Sequence, residues 1–128
     1  MKNWSIHFVF DQKFQWKKLE KVFPEIWEML SKESKLNQEE QTYDNAALEL
    51  NMREIRNDRK PQGYVRDGAK FRLAFPVDRK EMILYRGFPV ENLKETGDVI
   101  AKMLKAKGIK FTLEFDKMLL QEIKSRKK

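Results

Sequence analysis

Segments with an apolar residue at every second position alternate along this chain with segments whose apolar residues recur every three or four positions. Period two is typical of a β-strand with one buried face, and spacings of three and four are typical of an amphipathic helix. Near the N-terminus Trp4, Ile6, Phe8 and Phe10 follow the first pattern, and residues 109–115 repeat it most clearly. The chain therefore has to build both kinds of element around a shared core, which predicts an α+β protein.

Two longer segments have the helical spacing. The first covers residues 14–34, where Pro24 either kinks the helix or opens a fresh one from its first turn. The second covers residues 89–107 and ends at Gly108, a residue type that commonly follows a helix. Gly97 lies inside it, and we interpret this glycine as a point of close packing between helix and sheet. A short final helix is also predicted after the last strand, over residues 117–123.

The middle of the chain is predicted to be mostly extended. Residues 43–57 fit two patterns, because alternating apolar positions favour a strand while the helix-forming composition favours a helix. We predict a strand here, with a bulge at Arg53 and Glu54, because the segments that follow resemble a hairpin. The remaining predicted segments of this region are a loop at 35–42, a loop at 58–63, strands at 64–77 and 82–88, and a charged turn at 78–81.

The hairpin formed by the last two of these strands leaves two registers open. If Val77 pairs with Met82, Arg86 falls on the apolar face, where it would need an acidic partner or an anion. A register one residue longer turns Arg86 outward, beside Arg72. Both outcomes concern the same question, which is whether this hairpin presents arginine to a ligand.

The predicted order of elements is β-α-β-β-β-α-β-α. It describes a single domain over residues 1–128, with an antiparallel sheet of about five strands, two main helices on one face and a basic tail at residues 124–128. Apart from one strand in the middle, this order resembles the split βαβ, or ferredoxin-like, plan. The resemblance is one of topology and implies an open second face of the sheet, but folds of this kind serve many functions.

Composition removes several kinds of site. With no cysteine the chain has no disulfide, no thiolate zinc site and no cysteine nucleophile, and its one histidine, His7, is expected to be an ordinary surface or cross-strand residue on the face opposite the core. There is no phosphate-binding glycine loop. We therefore expect neither a metal ion nor a cofactor. No apolar run approaches the ~20 residues of a membrane span and no secretory signal is evident, which favours a cytoplasmic protein without a membrane partner.

Arginine is concentrated in one part of the chain. Seven of the eight arginines lie between residues 53 and 86, where ten basic residues face five acidic ones. Because the planar guanidinium grips phosphate through two hydrogen bonds, this concentration indicates an anion site on a sheet face and its loop, although solvated outward positions of a hairpin would also explain it. The candidate cations are Arg53, Arg56, Arg59, Lys60, Arg66, Lys70, Arg72 and Arg86. Tyr64 and Tyr85 are the candidate aromatic residues for stacking on a base.

These features favour a small basic binding protein whose partner carries phosphate, either a single-stranded nucleic acid or a nucleotide. The main alternative is a virus- or phage-encoded inhibitor that binds a host nucleic-acid-handling protein or sequesters a signalling nucleotide. A metal-dependent nuclease or phosphotransfer enzyme is a further alternative, for which no residue is assigned a catalytic role. A homodimer formed through an open strand edge also remains a hypothesis.

Overall fold

The computed structural model describes residues 3–34, 36–64, 71–77, 79–90 and 92–115. In chain order the elements are β1 (Asn3–Phe10), a 3₁₀ helix (Trp16–Leu19), α1 (Phe23–Ser34), α2 (Gln38–Arg56), β2 (Arg72–Ala74), β3 (Glu81–Val90), α3 (Asn92–Ala106) and β4 (Phe111–Phe115). The predicted final helix and the basic tail lie outside the described residues. No helix in the described part of the chain is long and apolar enough to cross a membrane.

The four strands form one antiparallel sheet in the order β2-β3-β1-β4. The α+β prediction is confirmed, with four strands in place of about five. Their order is that of the split βαβ plan, because β3 lies between β1 and β2, and β1 lies between β3 and β4. The first connection across the sheet contains α1 and α2, and the second contains α3.

The helix α2 replaces the strand predicted over residues 43–57. It begins at Gln38, inside the predicted loop, because Asn37 and Glu40 form a capping box. The Asn37 side chain accepts from the Glu40 amide at 2.8 Å, and the Glu40 carboxylate accepts from the Asn37 amide at 3.1 Å. Two amides that a helix start leaves unsatisfied are thus bonded, which fixes the first turn.

The apolar residues of α2 follow the helical spacing rather than the alternation. Met52 and Ile55, three positions apart, are both buried, whereas Leu50 remains 46 % exposed. A strand would have buried Leu50 on the same face as Met52. The strand prediction was wrong because alternation over so few residues competes with a sequence rich in helix formers.

Residues 14–34 divide at Pro24, as one of the two alternatives predicted. Pro24 is the second residue of α1, where the N–H that it lacks would have no partner within the helix. The α-type bonding begins with the Ile26 amide, which donates to the Val22 carbonyl at 3.1 Å. The chain before this point forms the separate 3₁₀ helix.

The second half of the chain follows the prediction with shorter bounds. The helix α3 starts three residues later than predicted, because Pro89 belongs to β3. Its end is confirmed at Gly108, which has a φ of 73° and whose amide donates to the Lys105 carbonyl at 3.0 Å. A left-handed residue at this place stops the helix, and glycine adopts it without strain.

One face of the sheet carries the hydrophobic core. Ile6 and Phe8 of β1 and Leu84 of β3 are buried in a single cluster with the apolar residues of all three α-helices. A Cβ on Gly97 of α3 would lie 2.5 Å from Cδ1 of Ile6. The interpretation of Gly97 as a point of close packing is therefore confirmed.

The centre of the opposite face is buried as well, contrary to the expectation of an open face. His7 is 0 % exposed, and Glu81 and Ile83 of β3 are also buried, although Ile83 does not belong to the helix-side cluster. His7 lies on the face that the alternation predicted, but its prediction as a surface residue was wrong. A ligand the size of a nucleic acid strand has no access to the middle of this face.

The hairpin of β2 and β3 adopts neither predicted register. Arg72 lies directly opposite Tyr85. The strand predicted over 64–77 is reduced to three residues, and Val77 lies beyond its end with 85 % of its surface exposed. Both predicted registers assumed that pairing continued to Val77. The side chain of Arg86, on which they differed, lies outside the described part of the chain.

Candidate functional site

Three of the predicted arginines lie on α2 and the turn after it, so the prediction that a sheet face presents Arg53 and Arg56 was wrong. Glu49, Arg53 and Arg56 follow one stripe of the helix at spacings of four and three. Nη1 of Arg56 lies 3.0 Å from Oε1 of Glu49, and its Nε lies 3.5 Å from Oε2 of Glu20. The stripe therefore faces the turn that joins the 3₁₀ helix to α1.

Arg59 lies just beyond the end of α2. Its Nε and Nη2 donate to the two carboxylate oxygens of Glu54 at 2.9 and 3.1 Å, which is the bidentate geometry of a guanidinium and an anion. The hydrogen bond to Glu54, together with the charge of that carboxylate, raises the pKa of Arg59 above its ordinary value. Arg59 therefore remains a cation throughout the physiological range.

The 3₁₀ helix brings lysines to the same place. The Lys17 amide donates to Oδ1 of Asp58 at 3.1 Å, which anchors the 3₁₀ helix to the end of α2. Together they form a surface that we call the basic corner. It consists of six exposed cations, Lys17, Lys18, Lys21, Arg53, Arg56 and Arg59, interspersed with the acids Glu20, Glu49, Glu54 and Asp58.

Four cations of the basic corner are available to an external anion. Within the described residues, no carboxylate forms an ion pair with the following side chains: Lys17, Lys18, Lys21 and Arg53. Cations near the end of α2 are favoured by the negative end of the helix dipole, which explains why Arg53 and Arg56 are stable there. Their exposure leaves the outer surface open to phosphate.

Arg72 and Tyr85 form a second pair of predicted site residues that the structure brings together. They are cross-strand neighbours on β2 and β3, and both are half-buried. The strand β2 is at the edge of the sheet. A guanidinium beside a phenol ring at a sheet edge provides one group for a phosphate and one for a base.

Lys60 and Tyr64 are committed to the fold. Nζ of Lys60 donates to the Phe75 carbonyl at 3.0 Å. The ring of Tyr64 is buried against Trp27, with ring centroids 4.6 Å apart, and its backbone pairs with Leu73. Tyr64 therefore has no exposed face for a base. Arg66 and Lys70 lie outside the described residues, and so does the side chain of Arg86.

A buried polar network on the opposite face was not predicted from the sequence. Oγ of Ser5 lies 2.9 Å from Nε2 of His7, and Nδ1 of His7 lies 2.5 Å from Oε1 of Glu81. Nη1 of Arg79 lies 3.3 Å from Oε2 of the same carboxylate. Ser5 and His7 occupy alternate positions of β1, which the sequence shows, but the pairing of β1 with β3 is needed to find Glu81.

The order hydroxyl, imidazole, carboxylate matches that of a catalytic triad. Ser5, however, is only 1 % exposed, so a substrate carbonyl has no path to its hydroxyl oxygen. We assign this network a structural role, which is to tie β1 to β3 through buried hydrogen bonds. Such bonds are strong in a buried setting and costly to break.

Two cavities lie beside α1 and α2, and Trp27 and Asp44 line both of them. Their volumes are about 430 and 540 Å³. Asp44 is 4 % exposed, and its Oδ2 accepts from Nε1 of Trp27 at 2.8 Å and from Oγ of Ser31 at 2.6 Å. Asp44 was assigned to a strand in the sequence analysis, so its contacts with α1 could not be foreseen.

Among the described residues no group of three or more histidine, aspartate or glutamate side chains is arranged to hold a metal ion. Comparison of the chain with protein family models, with curated proteins and with solved structures gives no match in any of the three. The class of protein is therefore defined by the fold alone, as an α+β domain with split βαβ strand order. The function has to be argued from its surfaces.

Proposed function

We propose that this protein binds single-stranded nucleic acid through the basic corner. The observation that carries the proposal is the group of four exposed cations, Lys17, Lys18, Lys21 and Arg53, that have no carboxylate partner within the described residues. Phosphate contacts from lysine and arginine supply most of the affinity of such proteins, and they do not depend on base sequence. The net charge of +7 adds long-range attraction for a polyanion.

The paired arginines of the basic corner are compatible with the same role. The ion pairs of Arg56 with Glu20 and Glu49 lie on an exposed surface. Exposed ion pairs of this kind contribute only about 0–1 kcal/mol each. A phosphate can therefore replace a glutamate as the partner of Arg56 with little loss of folding stability.

The pair of Arg72 and Tyr85 supports a single strand rather than a duplex as the ligand. A tyrosine ring can stack only on a base that is accessible, as bases are in a single strand. The neighbouring guanidinium would then hold the adjoining phosphate. A free nucleotide also has these two groups, so the experiment has to separate polymer from monomer.

The test is the binding of a fluorescent single-stranded oligonucleotide, measured by anisotropy across a range of salt concentrations. Four phosphate contacts predict a slope of log affinity against log salt of about −3, from ~0.7 per contact. The doubly substituted Lys18→Ala/Arg53→Ala protein should bind more weakly and lose about 1.4 from that slope. The control is Lys94→Ala/Lys102→Ala on α3, which removes the same charge from exposed positions elsewhere.

The outcomes separate the hypotheses. Equal losses in the two double variants would mean that only net charge matters and would contradict a localised site. No binding of oligonucleotide at low salt would overturn the proposal. Thermal stabilisation by mononucleotides without oligonucleotide binding would indicate a nucleotide-binding protein instead.

A further inference from the structure

We propose that the cavity of about 430 Å³ beside α2 binds a small organic cation, an ammonium group on a short aliphatic chain, with Asp44 as its counter-ion. This site is separate from the basic corner and takes a ligand of the opposite charge. The inference therefore goes beyond nucleic-acid binding and does not depend on it.

The first argument is the state of Asp44. A buried carboxylate without a cationic partner is unfavourable, and hydrogen bonds from neutral donors offset only part of that cost. The two donors to Asp44, the Trp27 indole and the Ser31 hydroxyl, converge on Oδ2. Within the described residues Oδ1 has no donor, and no lysine, arginine or histidine forms an ion pair with Asp44. An ammonium group supplies both the missing charge and the missing hydrogen bonds.

The second argument is the aromatic lining of the cavity. Trp27 and Tyr64 are packed edge to face at an interplanar angle of 81°, and Tyr43 lies at the rim with 71 % of its surface exposed. The negative faces of tryptophan and tyrosine attract cations, and this attraction grows where water is excluded. A carboxylate among aromatic rings therefore selects a cation over a neutral molecule and repels an anion.

The third argument is that the cavity is held open by the fold. The amide of Asn51 is fully used in the wall, since its Nδ2 donates to the Ala47 carbonyl at 2.8 Å and its Oδ1 accepts from the Gly63 amide at 2.8 Å. The Tyr64 hydroxyl, on the same lining, is buried with no hydrogen-bond partner among the described residues. A volume of about 430 Å³ falls within the range of small-molecule sites. The cavity is thus preformed and retains unused polar capacity.

The experiment compares 1,4-diaminobutane with 1,4-butanediol, which has a similar length but no charge. Binding is measured by isothermal titration calorimetry at physiological salt, with tryptophan fluorescence as a second signal because Trp27 lines the cavity. The diamine should bind at least tenfold more tightly than the diol. Equal binding of the two compounds, or no binding of the diamine at millimolar concentrations, would overturn the proposal.

The variant Asp44→Asn removes the charge but keeps an oxygen that can accept from Trp27 and Ser31. It should lose at least tenfold in diamine affinity, whereas Asp98→Asn, the same change at an exposed position of α3, should bind as the unmodified protein does. Equal affinity in both variants would refute the role of Asp44. If Asp44→Asn does not fold, Tyr43→Ala at the exposed rim decides the question: a several-fold loss supports the site and unchanged affinity refutes it.

Discussion

At the scale of single residues, burial decides how much a carboxylate contributes to this protein. Glu81 and Glu54 each interact with an arginine, Arg79 and Arg59 respectively. Glu81 is buried and also bonded to His7, whereas the Glu54 pair is largely solvated. Water and salt screen the second pair, but the first has neither substitute when it is broken.

Replacing Glu81 by alanine should therefore lower the free energy of unfolding by about 3 kcal/mol, because it leaves His7 and Arg79 with an unmatched polar site in the sheet. Glu54→Ala is the matched control and should cost less than ~1 kcal/mol, in line with an exposed ion pair. Urea denaturation followed by circular dichroism measures both. Similar losses in the two variants would show that the His7 network contributes nothing special to stability.

Tyr85 gives a residue-scale test of the nucleic-acid proposal. Stacking on one base contributes about 1–3 kcal/mol, so Tyr85→Leu should weaken oligonucleotide binding by roughly tenfold or more while keeping an apolar side chain in β3. The salt slope should not change, because no phosphate contact is lost. Arg72→Ala, at the opposite position of β2, should instead reduce the slope by ~0.7. A reduced slope in Tyr85→Leu would contradict a stacking role.

At the scale of elements, the sequence predicted those segments whose periodicity is long and unambiguous. The apolar alternation of β1 and β4 and the helical spacing of α3 left a single interpretation. The segment of α2 supported two, and the decisive signal was the capping pair of Asn37 and Glu40, which lies just before the alternating residues. The error moved Arg53 and Arg56 from a helix to a sheet face, so the basic corner could not be predicted. Its lysines meet those arginines only when both belong to helices.

The link between α2 and β2 depends on Gly63. Its φ is 104°, and a Cβ there would lie 2.4 Å from the carbonyl oxygen of Leu73. The clash is with backbone, so no side-chain rotation relieves it. Its amide and carbonyl are both bonded to Asn51. These contacts position the end of α2 relative to the sheet edge.

Gly63→Ala should consequently destabilise the protein by more than ~2 kcal/mol, through a disfavoured φ and the displacement of β2. The control is Gly108→Ala, which also has a positive φ but meets no atom within 4 Å and should cost about 1 kcal/mol. Thermal unfolding of both variants makes the comparison. If the two losses were equal, the positive φ alone would account for Gly63 and the close approach to Leu73 would be irrelevant.

At the scale of the whole molecule, α2 would serve two ligands of opposite charge. Asp44 and Arg53 are nine residues apart, which is about 13 Å along a helix. That separation exceeds the Debye length of about 8 Å at physiological salt, so the charge at one site has little influence on the other. Asp44→Asn should therefore leave oligonucleotide affinity unchanged within about twofold, and Lys18→Ala/Arg53→Ala should leave diamine affinity unchanged to the same degree. Measuring each variant against each ligand separately avoids direct association of the diamine with the oligonucleotide. A large effect of Asp44→Asn on oligonucleotide binding would mean that the cavity and the basic corner are one site, and that the helix between them transmits more than its length predicts.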